Sequence, residues 1–322
     1  MKEIKVTKND SGQRIDRFLS KSFPLGQGQI CKLARKNCIK LNGKKCKVDT
    51  HIAENDIIKL FIPDEMLIPK AKSDPDDFTG ISDKIDIVYE DENILLVDKP
   101  VGMVVHEDES GDSDTLINRI KSYLYHKGEY HPENELSFAP ALCNRIDRNT
   151  CGIVIAAKNA ESLRILNQKI RDRELTKLYL CIACGKVTPD SATLTAYLEK
   201  NSDTNMVKIS DKKTKSNLTI KTKYKVIAYN GENSLLKVDL LTGRTHQIRA
   251  HLAYIGHALL GDGKYGNNKL NKKYGFKYQA LCSYELQFKF TTDAGCLSYL
   301  DEKCFKAKAP DFVKMFGGNI KL

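Results

Sequence analysis

The sequence predicts an α+β protein in which a small basic α+β module precedes a larger domain built on a mixed β-sheet. Strand-like apolar runs such as NILLVD, GIVIAA and SLLKVDLL alternate with a few helical patterns and many loops, which favours a mixed sheet. The length of 322 residues exceeds the usual size of one compact domain, so we expect at least one further module. The distribution of charge places that module at the start of the chain.

Basic charge is concentrated in the first 60 residues. They contain 14 Lys or Arg and 6 Asp or Glu, whereas the remaining residues contain 38 and 35. The first segment therefore supplies +8 of the total net charge of +11. A strongly basic module on a nearly neutral body indicates contact with phosphate backbones, because neutralising phosphates releases counterions. On charge alone, a basic surface that serves only solubility is the alternative.

Composition argues against membrane, secreted and metal-binding classes. No apolar run approaches the roughly 18 residues that span a bilayer, and the start MKEIKVTKND lacks the apolar core of a secretory signal. We therefore expect a cytoplasmic protein whose ten cysteines are reduced thiols. Cys181 and Cys184 form a C-x-x-C without a second pair, so they are interpreted as packed strand residues rather than zinc ligands.

The N-terminal module has a compact order of predicted elements. Helical patterns at residues 13–23 and near 29–35 precede a hairpin signal at Asn42-Gly43 and a closing strand at 56–62. This arrangement resembles the alpha-L RNA-binding domain, which was first named after small-subunit ribosomal protein four. The resemblance covers roughly residues 12–62 and implies that the module binds RNA.

A change of composition follows this module. The segment PDEMLIPKAKSDPDDFTGISD is rich in Pro, Asp and Ser and lacks periodicity, which is typical of a linker. We therefore predict an RNA-binding domain at 1–62, a linker at 63–84 and a large second domain at 85–322.

The segment NRIDRNTCG contains the most informative carboxylate of the chain. Asp147 lies in a loop just before the strand IVIAAK, and the positive charges of Arg145 and Arg148 would favour its ionised form. Such an anion can act as a nucleophile or stabilise a cationic sugar. On this segment alone, an Asp that only caps a turn at Thr150 is the alternative.

The same segment resembles the signature H-R-[LI]-D-x-x-T-S-G of the RluA-type pseudouridine synthases, whose Asp is catalytic. Asn144 stands where His is usual and Cys151 where Ser is usual, and both lie beside the carboxylate. The resemblance implies that Asp147 is the catalytic residue. It also implies that Arg145 binds the substrate by occupying the space that a flipped base leaves.

Two further segments occur in the order that this family shows. YEDENILLVDKPVGMVVH resembles its opening motif, a strand that ends at Lys99-Pro100, and we assign this segment no catalysis. LTKLYLCIACG resembles its K-x-Y-x-A strand, in which alternation places Lys177 and Tyr179 on one face. Taken alone, a strand Tyr is more often a core residue. The resemblance implies that Lys177 binds the substrate and that Tyr179 packs on the target base and helps to remove its displaced proton.

The last motif is LLTGRTHQIRAHLAYIGHALLGDGKYG. Helical spacing places Ile248, Leu252 and Ile255 on a core face, and Gly256 is the expected C-terminal stop. His246 and Arg249, three residues apart, are expected on another face.

This segment resembles the family motif G-R-T-H-Q-[IL]-R-x-H. The resemblance implies that Arg249 pairs with Asp147 and acts in catalysis, and that Arg244 and His246 bind the substrate.

Three superficial cofactor signals are rejected. Gly261, Gly263 and Gly266 form G-x-G-x-x-G, but no helical pattern follows and no acidic residue closes a βαβ unit, which argues against a dinucleotide site. The histidines lack the spacing of a zinc helix. The acidic run from Glu107 has Arg119 where a calcium loop requires Glu. We therefore expect neither a cofactor nor a metal.

Together these motifs predict an enzyme that isomerises selected uridines of folded RNA to pseudouridine. The target atom must leave the helical stack, so base flipping is expected. The resemblance to family members that carry the N-terminal module implies large-subunit ribosomal RNA rather than transfer RNA as the substrate, and a monomer is the default expectation. The alternatives are a non-catalytic RNA-binding or ribosome-assembly factor on the same fold and, less favoured, a metal-dependent nuclease.

Overall fold

The computed structural model describes residues 1–68, 76–107, 111–201, 206–317 and 320–322. Within these ranges it contains one sheet of four strands near the N-terminus and one of eleven strands in the rest of the chain. The predicted α+β class and the mixed sheet are confirmed, since the large sheet contains both parallel and antiparallel pairs.

The N-terminal sheet is antiparallel and packs against two helices. Its strands are β1 Lys2–Lys5, β2 Ile39–Leu41, β3 Lys44–Lys45 and β4 Ile57–Leu60, in the order β1-β4-β2-β3. The helices are α1 Ile15–Ser22 and α2 Gln27–Arg35. Phe18, Ile30 and Ile58 are fully buried between them. The hairpin signal is confirmed, because the two turn residues between β2 and β3 have φ of 51° and 76°, as a primed two-residue turn requires.

Both described ends of the expected linker are ordered and packed. A 3₁₀ turn at Asp64–Leu67 inserts Leu67 into the N-terminal core. Helix α3, Asp76–Thr79, inserts Phe78 into a core of the large sheet. Residues 69–75 lie outside the described ranges. The short apolar anchors at 67 and 78 were not apparent in a segment dominated by Pro, Asp and Ser.

The large sheet has the path β11-β10-β12-β13-β9-β14-β8-β6-β5, with β15 beside β14 and β7 beside β8. Its strands are β5 Ile87–Glu90, β6 Ile94–Lys99, β7 Ala141–Leu142, β8 Cys151–Ala157, β9 Leu175–Cys184, β10 Ser191–Asn201, β11 Met206–Ser210, β12 Leu218–Tyr229, β13 Asn233–Leu240, β14 Leu281–Phe288 and β15 Cys304–Lys306. The helices of this part are α4 Leu116–His126, α5 Ala160–Arg171, α6 Gln247–Tyr254 and α7 Asn268–Lys273. Short 3₁₀ turns occur at Pro132–Asn134, Gly295–Leu300 and Asp311–Phe316.

Both faces of this sheet are covered by apolar cores. Leu95 and Val97 of β6 point into the core that contains α4 and α6, whereas Ile94 and Leu96 point into the core on the other face. This period of two explains why the central strands are continuous apolar runs. Cys181 is fully buried in the first core, which confirms that it packs as an apolar residue.

The parallel contact between β8 and β14 requires a glycine. Gly152 has φ +106°, and a Cβ at this position would lie 2.2 Å from the carbonyl oxygen of Ser283. The two backbones can therefore approach closely only because residue 152 has no side chain. This contact fixes the start of β8, and with it the preceding loop at 143–150.

Two expectations need correction or restriction. The short helix α7 does follow the G-x-G-x-x-G glycines, contrary to the sequence prediction, because NKLNKK forms a lysine-rich turn without an apolar stripe. Of the acidic run at 107–114, residues 108–110 lie outside the described ranges, while Asp114 pairs with Arg119. In the described part of the chain, no helix is both long and apolar enough to cross a membrane.

The N-terminal unit contacts the large domain through polar groups. Asn9 Nδ2 donates to Glu135 at 2.6 Å, and Asp10 accepts a hydrogen bond from the Ser137 hydroxyl at 2.6 Å. Arg164 of α5 donates to the Ser11 carbonyl at 2.8 Å. Asp10 is fully buried, so this contact excludes water at its centre.

Candidate active site

An open cleft of about 1360 Å³ lies on the α6 side of the large sheet. It is lined by the loop before β8, the first half of β9, the segment from β13 into α6, and the turn at 261–264. All seven residues that the sequence singled out line it: Asp147, Tyr179, Arg249, Arg145, Lys177, His246 and Arg244. Residues that are up to 104 positions apart in the chain are thus brought together by the sheet.

The Asp147 carboxylate is directed into this cleft. The turn at this position is made by backbone, since the Thr150 N–H donates to the Asp147 carbonyl at 3.0 Å. The side chain instead accepts a hydrogen bond from Arg249 Nη1 at 2.7 Å, and 28% of it remains accessible. The alternative of an Asp that only caps a turn is therefore excluded, and the predicted pair with Arg249 is present.

Arg249 is held from behind by a carboxylate that sequence reasoning missed. Its Nε and Nη2 donate to the two oxygens of Asp262 at 2.7 and 2.9 Å, and Asp262 is fully buried. Burial opposes the charge of Arg249, but the hydrogen bonds and charges of Asp262 and Asp147 raise its pKa. Burial likewise opposes the charge of Asp262, and the hydrogen bond from Arg249 lowers the pKa of this carboxyl below its usual value.

Asp262 follows Gly261, and the close packing of the backbone at this turn requires a residue without a side chain. Gly261 has φ +81°, and a Cβ there would lie 2.0 Å from the Tyr278 carbonyl oxygen. The Gly-Asp pair in GDGKYG was interpreted as part of a turn, and no apolar period surrounded it. The sequence signal that was available is an Asp directly after a glycine in a glycine-rich turn.

His246 lies beside the same carboxylate but not on the helix. It has a positive φ of 52° and precedes α6 as its N-cap residue, so the shared helical face expected for residues 246 and 249 is wrong. Its Nε2 is nevertheless 3.9 Å from Asp147 Oδ2. Burial lowers the pKa of His246, which favours a neutral imidazole near pH 7.

Tyr179 and Lys177 line the cleft from β9, which agrees with the expected shared face. Tyr179 is only 6% exposed and belongs to the core on this side of the sheet. Burial raises the pKa of its phenol to about 12. Burial also lowers the pKa of Lys177. A phenol with such a pKa stays protonated at pH 7, so Tyr179 is suited to contact and hydrogen bonding rather than to action as a phenolate base.

The opening motif holds the Asp147 loop in place. Lys99 is fully buried at the end of β6, and its Nζ donates to the carbonyls of Pro100, Met103 and Arg148 at 2.8, 2.8 and 2.9 Å. Burial lowers its pKa to about 8. The motif to which we assigned no catalysis therefore ties the turn after β6 to the residue that follows Asp147.

The two departures from the family signature have structural partners. Asn144 Oδ1 accepts a hydrogen bond from the Ile155 N–H of β8 at 2.8 Å. The Cys151 thiol donates to the Leu281 carbonyl of β14 at 3.7 Å. Both side chains thus stabilise the backbone around β8, and neither contacts the Asp147 carboxylate in the hydrogen bonds described.

Positive charge surrounds the carboxylate. Ten basic side chains line the cleft together with the two carboxylates of Asp147 and Asp239. Arg145 and Arg244 are exposed at its rim. Such a concave cationic surface attracts a polyanion and raises its rate of association. Among the described residues, no group of three or more His, Cys, Asp or Glu side chains is arranged so that it could hold a metal ion.

The cleft thus combines a cationic lining with an ion-paired carboxylate at its base, and comparison with known proteins gives the class of protein that carries this fold. Residues 93–254 match the family model described as RNA pseudouridylate synthase. An uncharacterised RNA pseudouridine synthase of Mycoplasma genitalium is 35% identical over 291 residues, which are 88% of each chain. The ribosomal large subunit pseudouridine synthase D of Borreliella burgdorferi is 31% identical over 264 residues, 81% of this chain and 78% of that protein.

A solved structure agrees with the fold. Human RNA pseudouridylate synthase domain containing 1 superposes with a TM-score of 0.55 at 21% identity, over 71% of this chain and 84% of the human chain. The chain belongs to the RNA pseudouridylate synthase family, in its RluA-type branch. It is therefore an enzyme that isomerises uridine in RNA, and RNA is its substrate.

Proposed function

We propose that this protein converts specific uridines of large-subunit ribosomal RNA to pseudouridine, with Asp147 as the catalytic carboxylate. The observation that carries this proposal is the 2.7 Å pair between Asp147 and Arg249 at the base of the cationic cleft. The choice of ribosomal RNA is supported by the Borreliella relative, whose name refers to the ribosomal large subunit. We further propose that the enzyme acts as a monomer.

The reaction rearranges one nucleotide without a net change of atoms. The bond between uracil N1 and ribose C1′ breaks, the base rotates, C5 bonds to C1′, and the C5 proton is lost while N1 gains one. Asp147 either attacks the sugar or stabilises its developing positive charge. Arg249, clamped by Asp262, orients the carboxylate through a charge-assisted hydrogen bond.

The remaining cleft residues are assigned to the flipped nucleotide and its backbone. Tyr179 packs on the base and, as a neutral phenol, relays rather than abstracts its displaced proton. Arg145, exposed at the rim, fills the space that the base leaves, because base flipping costs a few kcal/mol that such a wedge helps to offset. Lys177, Arg244 and His246 bind the sugar and phosphates.

The N-terminal unit is proposed to bind RNA. We assign residues 1–62 to an alpha-L RNA-binding domain and residues 85–322 to catalysis, joined by the segment 63–84. Exposed lysines and arginines of this unit lie on α2 and on the hairpin of β2 and β3. This arrangement offers phosphates a second cationic surface in addition to the cleft.

The proposal is tested by release of tritium from RNA labelled at uridine C5. Wild-type protein, Asp147→Ala and Asp147→Asn are incubated with total RNA and with large-subunit ribosomal RNA. We expect release by wild type from the large-subunit RNA and a loss of at least about 1000-fold in both variants. Full turnover by Asp147→Asn would refute the role of the carboxylate.

The same assay separates the alternatives. If wild type binds RNA and releases no tritium from any RNA, the binding-factor alternative replaces this proposal. Excess chelator is expected to leave release unchanged, whereas a metal-dependent nuclease would lose its activity. Release from transfer RNA alone would retain the reaction and change the proposed substrate.

A further inference from the structure

Tyr265 touches both side chains that reach Asp147. Its phenol oxygen is 3.0 Å from His246 Nδ1, and its ring meets the imidazole edge-on at a centroid distance of 5.7 Å. The guanidinium carbon of Arg249 lies over the same ring, 5.4 Å from its centroid. One side chain to which the sequence analysis gave no role thus contacts the two neighbours of the proposed catalytic carboxylate.

The hydrogen bonds of Tyr265 point to the position of one proton. The Val207 N–H of the edge strand β11 donates to the phenol oxygen at 3.0 Å, and a backbone N–H can only donate. The phenol has one proton of its own to donate, and His246 Nδ1 lies 3.0 Å away as a ring nitrogen that can accept it. When Nδ1 accepts, a neutral imidazole carries its proton on Nε2, the atom that is 3.9 Å from Asp147 Oδ2.

The charges around His246 agree with a neutral ring. Asp147 and Asp262 would favour its protonation, whereas Arg249 and Lys264 oppose it. Burial has the largest effect, and it lowers the pKa of His246. The imidazole can therefore present an N–H to the carboxylate without introducing a second cation next to Arg249.

We propose that Tyr265 is a positioning residue that holds His246 as the Nε2–H tautomer, with this N–H facing Asp147. The hydrogen bond from Val207 holds the phenol oxygen against β11. The tautomer of His246 therefore depends on the position of the paired strands β10 and β11 relative to Tyr265. Tyr265 itself contacts neither the base nor the sugar in this scheme. The inference deepens the proposed function, on which its catalytic consequence rests.

The tautomer is measured directly, without an activity assay. In ¹⁵N-histidine-labelled protein, the two ring nitrogens of His246 are assigned by comparison with His246→Gln, and their shifts identify the protonated atom. We expect a proton on Nε2 in wild type and a change towards Nδ1 in Tyr265→Phe. Tyr229→Phe, which removes an exposed hydroxyl at the end of β12, is the matched control and should leave the shifts unchanged.

A kinetic cycle then tests the effect on the reaction. Tyr265→Phe keeps the ring over Arg249 and should slow single-turnover tritium release about tenfold, with the affinity for RNA unchanged. Because the hydroxyl acts through His246, adding Tyr265→Phe to His246→Gln should cost nothing further.

Two results would overturn the inference. A wild-type His246 with its proton on Nδ1 would exclude the proposed tautomer, whatever the activity of the protein. Losses that multiply in the double variant would show that Tyr265 acts independently of His246. Failure of the proposed function is distinct, since it would abolish tritium release in wild type and leave the ¹⁵N result intact.

Discussion

At the scale of single residues, Asp147, Arg249 and Asp262 form a row of three charged side chains. The direction of the Asp147 carboxylate is set by the other two. Arg249 uses Nη1 for Asp147 and the other edge of its guanidinium for both oxygens of Asp262. It cannot rotate without breaking two charge-assisted hydrogen bonds to a fully buried carboxylate. Asp262 therefore determines the angle at which Arg249 meets the proposed catalytic group.

Asp262→Asn tests this row. An amide offers one acceptor and a donor that faces the guanidinium, so Arg249 should turn and pair more closely with Asp147. A misplacement of this kind can lower the rate of tritium release about 100-fold. Loss of hydrogen bonds to a charged group should lower the free energy of unfolding by about 2 kcal/mol. Single-turnover kinetics and urea unfolding measure the two effects.

The matched control is Asp311→Asn, which removes an exposed carboxylate paired with Lys314 at the surface. Both quantities should stay at their wild-type values there, because exposed ion pairs contribute little. If Asp262→Asn kept the wild-type rate, Asp262 would have no role in orienting Arg249.

The sequence identified the proposed catalytic carboxylate and its ion-pair partner better than the residues that hold this pair in place. Asp147 and Arg249 belong to long motifs, and their pairing was predicted. Asp262 and Tyr265 lie in GDGKYG, where the glycines suggested only a turn. Lys99 was assigned to a structural turn, although its three carbonyl bonds hold the Asp147 loop. These positioning residues act through tertiary contacts, and local hydrophobic periodicity in the sequence does not indicate such contacts.

At the scale of elements, the contact between β8 and β14 positions the Asp147 loop. β14 lies between β8 and β9, so it joins the strand that follows Asp147 to the strand that carries Tyr179. β14 and β8 pair in parallel at Cys282–Cys151 and Ser283–Gly152. The separation between the two sides of the cleft therefore depends on how closely β8 approaches β14.

Gly152→Ala and Gly231→Ala separate steric contact from backbone strain. Both glycines have positive φ, but a Cβ at 231 meets nothing within 4 Å, whereas one at 152 would lie 2.2 Å from the Ser283 carbonyl oxygen. Gly231→Ala should cost about 1 kcal/mol of stability from strain alone. Gly152→Ala should cost at least about 3 kcal/mol, because the strands must also separate. Urea unfolding of both variants measures the difference, and equal losses would contradict the role of close approach.

Element prediction succeeded where a pattern was local. The helix after His246 was expected from the spacing of Ile248 and Leu252, and Gly256 does follow its end with φ +88°. The strand β1 was missed, because KEIK is short and charged and is defined by its pairing with β4. The sequence did not predict that the expected linker is anchored to the cores. Single apolar residues such as Phe78 create no helical or strand periodicity that would indicate burial.

At the scale of the whole molecule, the N-terminal unit is seated on the large domain rather than only tethered to it. Asn9 and Asp10 bond to the segment before β7, and Arg164 of α5 bonds to the Ser11 carbonyl. The far end of α5 leads into Arg171 and Arg173, which line the cleft. An RNA held by both surfaces would therefore meet them in a fixed relative orientation.

Neutralisation of the exposed basic residues on α2 and on the hairpin of β2 and β3 tests whether the N-terminal unit binds RNA. In a variant with Lys32, Arg35, Lys44 and Lys45 replaced by Ala, the exposed cations of α2 and the hairpin are removed and the docking residues are retained. Each phosphate contact that is lost should reduce the slope of log affinity against log salt by about 0.7 to 0.9. Tritium release at saturating RNA should be unchanged, because the cleft is intact.

The control replaces four exposed lysines, Lys303, Lys306, Lys308 and Lys314, which lie near the C-terminus among residues that cover the other face of the large sheet. This variant has the same net charge as the first, so a general effect of charge would flatten both salt slopes equally. A reduction confined to the N-terminal variant would localise RNA contact to that unit, because only contacted phosphates release counterions. Identical slopes in wild type and the N-terminal variant would instead leave all RNA contact to the cleft, and the basic charge of the first 60 residues would serve solubility.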